Sequence, residues 1–201
     1  MSGNNTSESF IIPASRFISN FFNPINSLCL YFISHSYLNY SLRTALSEFL
    51  PMLLILILPV ILWISWNVRK GKYTNMDVSN RKQRHSLYIV VVAAAVCYLI
   101  INYLIDQQVD VVVLFLLLLL ILMQISNFFI KSSMHTSLNV YTAALFFVLS
   151  PLAGAGWFII AVLVGLTRVI LKRHTAREVI MGSVLAAVVS FMYLYTHIQM
   201  Q

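Results

Sequence analysis

The segment from Thr167 to Glu178 places an arginine, a histidine and a carboxylate between two apolar stretches. Arg168 and His174 lie six residues apart, whereas His174 and Glu178 lie four apart and share one face if a helix begins there. A guanidinium binds phosphoryl oxygens, and an imidazole held by a neighbouring group can act as a nucleophile. These residue types at this spacing therefore suit a phosphate site with a nucleophilic histidine.

The composition of the 201-residue chain is typical of a multi-pass membrane protein, because 60% of its residues are hydrophobic and only 9% are charged. We expect 1–16 to be a disordered tail and 17–201 to form a single membrane domain. The net charge of +7 favours anionic lipid or phosphate as a partner over nucleic acid, since no soluble basic domain is present. Cys29 and Cys97 lack a metal-ligand spacing, so we expect neither a metal site nor a disulfide framework, and no cofactor.

Six apolar stretches are predicted to cross the membrane as helices. They are 48–66, 86–105, 109–130, 137–150, 156–171 and 178–197. The stretch 137–150 has the length of a shallow or partly protein-buried span. The segment 17–40 is aromatic-rich but interrupted by Asn, Ser and His, so it either lies at the interface or spans weakly. The predicted fold is an all-α polytopic membrane bundle of about six transmembrane helices, with 17–40 as an additional N-terminal segment.

Three polar segments separate these stretches: 67–85, 131–136 and 167–178. Two predicted spans lie between the first and second segments, and two more lie between the second and third. Because two crossings return a chain to the same surface, all three segments are expected to face one side of the membrane. A shared active site requires this arrangement.

The residues of these segments resemble the motifs of the type 2 phosphatidic acid phosphatase superfamily. The third motif of that family is Ser-Arg, five residues, His, three residues, Asp. The chain has Thr167-Arg168, five residues, His174, three residues and Glu178. The spacing matches, and the substitutions at both ends are conservative. The resemblance covers about 67–197.

The other two motifs match less fully. The family's Pro-Ser-Gly-His corresponds to Ser132-Ser133-Met134-His135, in which the serine and the histidine are retained. Its first motif, Lys, six residues, Arg-Pro, corresponds to Asp77, six residues, Arg84-His85, so that an acid replaces the lysine and the proline is missing. Arg81, one helical turn before Arg84, is a conjectured source of the missing positive charge.

The resemblance implies a metal-independent lipid phosphatase with these roles. His174 attacks phosphorus and becomes a phosphohistidine, Glu178 holds its imidazole in the required tautomer, and His135 protonates the leaving oxygen. The phosphoryl oxygens are bound by further side chains, namely Arg168, Arg84, Arg81 and Ser133. Water then hydrolyses the intermediate. The expected substrate is a lipid phosphate or an isoprenyl diphosphate in the bilayer.

Several alternatives stay open on the sequence alone. Thr175 and Glu178 also form a capping-box pattern, in which Glu178 satisfies backbone N–H groups and does not contact His174, although both roles can coexist. Ser133 is equally well explained as a helix cap. The alternative functions are lipid phosphotransfer to an alcohol acceptor and non-catalytic lipid binding. The sequence does not indicate the oligomeric state.

The side of the membrane is predicted from the distribution of positive charge. All 13 Lys and Arg residues except Arg16 and Arg43 lie on the side of the predicted site. The positive-inside rule places that side in the cytoplasm, whereas membrane members of the resembled family usually act on the outer side. We favour the cytoplasmic face of a cytoplasmic membrane of prokaryotic type.

Overall fold

The computed structural model describes residues 5–78 and 80–200, and over these residues every regular element is a helix. The helices are α1 (Asn5–Phe21), α2 (Pro24–Asn39), α3 (Leu42–Pro51), α4 (Leu58–Arg69), α5 (Arg81–Asp106), α6 (Val111–Ser126), α7 (Met134–Leu149), α8 (Pro151–Ile170) and α9 (Ala176–Gln199). A π-helical segment, Met52–Ile57, joins α3 to α4 directly after Pro51, whose ring cannot donate a helical hydrogen bond. The predicted all-α class is confirmed.

Four helices among the described residues are long and apolar enough to cross a membrane: the continuous helix Leu42–Arg69, α5, α8 and α9. They coincide with four of the predicted stretches and indicate a membrane protein. The stretches 109–130 and 137–150 correspond to α6 and α7, which are apolar but only 16 residues long. A perpendicular span needs about 20 residues, so these two helices are shorter than a typical span.

Side-chain caps start most of these helices where the sequence places a small polar residue. The capping residues are Ser41 for α3, Asn80 for α5, Asp110 for α6, Ser133 for α7, Ser150 for α8 and Thr175 for α9. Asn23 caps α2, since its Oδ1 accepts from the N–H of Asn26, and Pro24 occupies the first helical position. The boundaries of the polar segments therefore follow from local chemistry.

The chain divides into two compact units. The first unit contains residues up to Tyr31 together with those from Ser132, and α7 lies at its centre, packed against α8 and α9. Most side chains of α7 between Thr136 and Phe146 are buried. Protein, rather than lipid, therefore surrounds much of this short helix. The prediction of a single domain over 17–201 stays a prediction.

The N-terminal part of the first unit contains α1 and the start of α2. The predicted disordered tail over 1–16 is helical from Asn5 onward in α1, while residues 1–4 lie outside the described residues. α1 packs against α8, and this contact supplies burial that the sequence alone did not reveal. Because α1 ends at Phe21 and α2 begins at Pro24, the segment 17–40 does not form one continuous helix.

The second unit covers Phe32–Lys131, and α5 packs in it against α4, α6 and the π-helical segment. The buried Tyr73 connects the loop between α4 and α5 to both helices. Its hydroxyl accepts a hydrogen bond from Trp63 Nε1 at 3.1 Å and bonds to Ser86 Oγ at 2.8 Å. At the other end of α5, Tyr98 donates to Asp110, the cap of α6. The unit therefore positions the polar segment 67–85 by contacts of its own.

Candidate active site

The loop after α8 brings His174 back to Arg168. Lys172 adopts the left-handed region with φ 53°, and its N–H donates to the carbonyl of Val169 at 2.9 Å. The N–H groups of Arg173 and His174 both donate to the carbonyl of Arg168, at 3.0 and 3.2 Å. This pattern is a Schellman motif, which reverses the chain at a helix C-terminus. The five-residue spacing of the predicted motif is therefore the length of a loop that returns the histidine to the arginine.

His174 and Glu178 form a close pair. Nδ1 of His174 lies 2.8 Å from Oε2 of Glu178, and the histidine side chain is fully buried whereas the glutamate is 20% exposed. An ionised carboxylate only accepts hydrogen bonds, so a neutral His174 carries its proton on Nδ1 and leaves a lone pair on Nε2. This is the tautomer that nucleophilic attack by Nε2 requires.

The same carboxylate also caps α9. Glu178 Oε2 accepts from the N–H of Thr175 at 3.2 Å, and the N–H of Glu178 donates to Thr175 Oγ1 at 3.3 Å. Both halves of the capping box are thus present. The two roles that the sequence left as alternatives for Glu178 coexist, because one oxygen serves both the backbone and the imidazole.

Ser133 lies beside this pair as the cap of α7. Its side chain is buried, and its Oγ accepts from the N–H of Thr136 at 3.5 Å and from Thr136 Oγ1 at 3.0 Å. Its own N–H donates to the carbonyl of Glu178 at 3.1 Å. Ser133 therefore joins the N-terminal ends of α7 and α9, whose dipoles both favour a nearby anion.

A close approach of α7 to α9 makes that junction possible. The single hydroxyl proton of Ser137 is shared between the carbonyls of Ser133 and Gly182, whose oxygens lie 2.8 and 2.9 Å from Oγ. A Cβ on Gly182 would lie 2.6 Å from Ser137 Oγ and 3.0 Å from the carbonyl oxygen of Ser133. Small residues commonly allow such backbone contacts between membrane helices. Gly182 therefore sets the distance between the two helix ends.

His135 occupies the first turn of α7, two residues after Ser133. It is partly exposed, and its carbonyl accepts from Asn139 Nδ2 at 2.8 Å. The structure thus places the predicted acid at the same end of α7 as the Ser133 cap.

Arg168 is buried near the end of α8, and its Nη1 donates to Ser19 Oγ in α1 at 2.9 Å. Sequence reasoning assigned no role to Ser19. The signal that would have found it is the pair Ser15 and Ser19, four residues apart among aromatic and aliphatic residues, which predicts a small polar stripe if 5–21 is helical.

Arg81 and Arg84 belong to the second unit. Arg81 donates from Nε to the carbonyl of Asn127 at 2.7 Å and from Nη2 to the carbonyl of Phe128, so its cation binds backbone carbonyls at the C-terminal end of α6. Arg84 is buried, and its Nε donates to the carbonyl of Val78 at 3.0 Å. Their predicted participation in the phosphate site stays a prediction.

Over residues 5–78 and 80–200, no three His, Cys, Asp or Glu side chains are grouped closely enough to hold a metal ion. The first unit contains an imidazole paired with a carboxylate, a buried arginine and two helix N-termini joined by a hydrogen bond. Comparison of the chain with protein-family models, curated proteins and solved structures finds no match.

Proposed function

We propose that the chain is an integral membrane phosphatase that removes the terminal phosphate of a lipid phosphate or an isoprenyl diphosphate through a phosphohistidine. The observation that carries the proposal is the pair formed by the buried His174 and Glu178, 2.8 Å apart, in which His174 lies on a loop whose backbone returns to Arg168. The resemblance of the three polar segments to type 2 phosphatidic acid phosphatases supports the same assignment.

The reaction would run in two steps. Nε2 of His174 attacks phosphorus, the bond from phosphorus to the lipid oxygen breaks, and His135 donates a proton to that oxygen. Water then attacks the phosphohistidine, His135 accepts a proton from the water, and inorganic phosphate leaves. Glu178 stabilises the charge that the His174 imidazole acquires, while Arg168 and the N-terminal ends of α7 and α9 attract the phosphoryl oxygens.

We also propose that α6 and α7 cross the bilayer together with the four longer helices, giving six spans. The burial of α7 among its neighbours supports this, because a helix shielded by protein need not match the lipid thickness. The polar segments would then face one surface, the cytoplasmic one by the positive-inside rule. If cysteines introduced at Thr74 or Lys172 react with an impermeant reagent in intact cells, the cytoplasmic assignment is wrong.

One specific observation favours a second candidate, a non-catalytic lipid-phosphate-binding protein. The cation of Arg81 is already bonded to two backbone carbonyls, and an acid, Asp77, stands where the resembled family has lysine. A phosphate site with fewer cations binds its ligand but stabilises the transition state less. This protein would bind a lipid phosphate without releasing phosphate.

The test is an assay of the purified full chain in detergent with phosphatidate, phosphatidylglycerol phosphate and an isoprenyl diphosphate, each with and without an acceptor alcohol. We expect release of inorganic phosphate that survives a chelator, is inhibited by vanadate and disappears in His174→Ala. His197→Ala, in the last turn of α9, is the matched control and should retain full turnover. Full turnover in His174→Ala would exclude the mechanism, transfer to the alcohol would indicate a phosphotransferase, and binding without turnover would favour the second candidate.

A further inference from the structure

The N-terminal helix α1 exposes large apolar side chains and buries small polar ones. Phe10 and Phe17 are 75% and 67% exposed, whereas Ser15 and Ser19 are only 4% and 1% exposed. A helix on a soluble protein buries its apolar stripe and exposes its polar one. Because apolar side chains of a membrane protein can face lipid, the buried serines are the informative feature of α1.

The serine face of α1 is directed at the candidate site. α1 packs against α8, and Ser19 Oγ accepts a hydrogen bond of 2.9 Å from Nη1 of the buried Arg168. A hydrogen bond from a charged donor is stronger than a neutral one, and losing it at a buried position is costly. Ser19 therefore restricts the orientation of the arginine that the proposed reaction uses to bind phosphate.

The position of α1 is itself fixed by α7. The buried Asn139 donates from Nδ2 to the carbonyl of Phe22, the residue after α1, at 2.9 Å, and its Oδ1 accepts from Ser27 in α2 at 3.0 Å. The same Nδ2 donates to the carbonyl of His135. One side chain thus connects the turn between α1 and α2 to the helix that carries His135, so α1 is held against the site at its C-terminal end.

We propose that Ser19 is a positioning residue of the Arg168 phosphate site and that α1 is a fixed wall of that site. This proposal depends on the proposed function in one respect, namely that the ligand of Arg168 is a phosphate group. The hydroxyl of Ser19 holds the guanidinium so that its fork meets the phosphoryl oxygens, and it does not contact the reacting atoms.

The test compares four forms of the full chain: wild type, Ser19→Cys, Ser19→Thr and Ser15→Ala. Cysteine nearly preserves the size of serine but is a weak acceptor, threonine keeps the hydroxyl, and Ser15→Ala alters a second buried serine on the same face. The measurements are kcat and KM with phosphatidate, the inhibition constant of vanadate, and binding of phosphatidate in phosphatidylcholine micelles. Thermal unfolding of each form is recorded in parallel.

We expect Ser19→Cys to raise KM and the vanadate inhibition constant about 10-fold, with Ser19→Thr and Ser15→Ala close to wild type. If no form turns over any substrate, the proposed phosphatase fails but the role of Ser19 is still tested, because Ser19→Cys should then bind phosphatidate about 10-fold more weakly than Ser15→Ala. Equal vanadate inhibition and equal phosphatidate binding in Ser19→Cys and wild type would overturn the proposal. A loss limited to the unfolding temperature would overturn it as well, since that result describes a purely structural serine.

Discussion

Replacing Gly182 by alanine tests the close contact on which the geometry of the candidate site depends. The added Cβ would lie 2.6 Å from Ser137 Oγ, and 3.0 and 3.1 Å from the backbone oxygen and nitrogen of Ser133. The serine hydroxyl can rotate away, but it then loses the hydrogen bond that it shares between two carbonyls. The backbone atoms can yield only if the N-terminal end of α7 moves away from α9. Such a shift lengthens the bond from the N–H of Ser133 to the carbonyl of Glu178.

The expected cost follows from these contacts. Overpacking a tight site costs about 1–3 kcal/mol, and one disrupted hydrogen bond adds about 1 kcal/mol. We therefore expect Gly182→Ala to lower the free energy of unfolding by about 2–4 kcal/mol. The control is Gly156→Ala in α8, where a Cβ meets no atom within 4 Å. Alanine in that helix should be stabilising by about 0.5–1 kcal/mol, because glycine loses more backbone entropy on folding.

The assay is equilibrium unfolding of both variants and of wild type in detergent, followed by circular dichroism. Phosphate release should also fall in Gly182→Ala, because the shift moves the N-terminal end of α7, which carries His135, away from the pair of His174 and Glu178. Equal stability of Gly182→Ala and Gly156→Ala would refute the inferred contact between α7 and α9.

Two substitutions separate the two roles of Glu178, which caps α9 and pairs with His174. Thr175→Ala should cost about 1 kcal/mol of stability with turnover retained. Glu178→Gln should keep the capping box but lower turnover at least about 100-fold, because it removes the charge beside His174. Turnover that falls in proportion to the melting temperature in both variants would contradict this separation. A third substitution concerns Asp110, because burial raises the pKa of its carboxyl above the ordinary value of 3.8. Just above pH 3.8 the folded state therefore binds more protons than the unfolded state. The contribution of Asp110 to stability falls as the pH rises through that window. Asp110→Asn, an equally good cap, should therefore gain melting temperature relative to wild type between pH 4 and pH 7, and a constant difference across that range would show that Asp110 does not titrate there.

The local features of the site were predictable from the sequence. The capping box at Thr175 and Glu178 depends on residues three apart and follows from helical geometry. The sequence also predicted the pairing of His174 with Glu178, but on the condition that a helix begins at His174, whereas α9 begins at Ala176 and His174 precedes its cap. The helices of spanning length also follow from uninterrupted apolar stretches. These predictions needed no knowledge of tertiary packing.

The remaining features depend on contacts between distant parts of the chain. The polar stripe of α1, formed by Ser15 and Ser19, is visible in the sequence. In a membrane protein such a stripe can face water or protein, and the contact of Ser19 with Arg168 shows that it faces protein. The role of Gly182 arises from the approach of a helix 45 residues away in sequence. The cation of Arg81 was conjectured to bind phosphate, and its carbonyl partners in Asn127 and Phe128 become apparent only once α6 is folded beside α5.

In the proposed mechanism, His174 carries the phosphoryl group during turnover. The most direct test of this step is rapid quenching of the purified protein with a lipid phosphate labelled at phosphorus, followed by mapping of the labelled peptide by mass spectrometry. We predict a phosphoryl group on His174 in wild type and in His197→Ala, and none in His174→Ala. The proposed mechanism is wrong if the label appears on another residue while the lipid phosphate is turned over. It is also wrong if His174→Ala turns over the lipid phosphate at the wild-type rate.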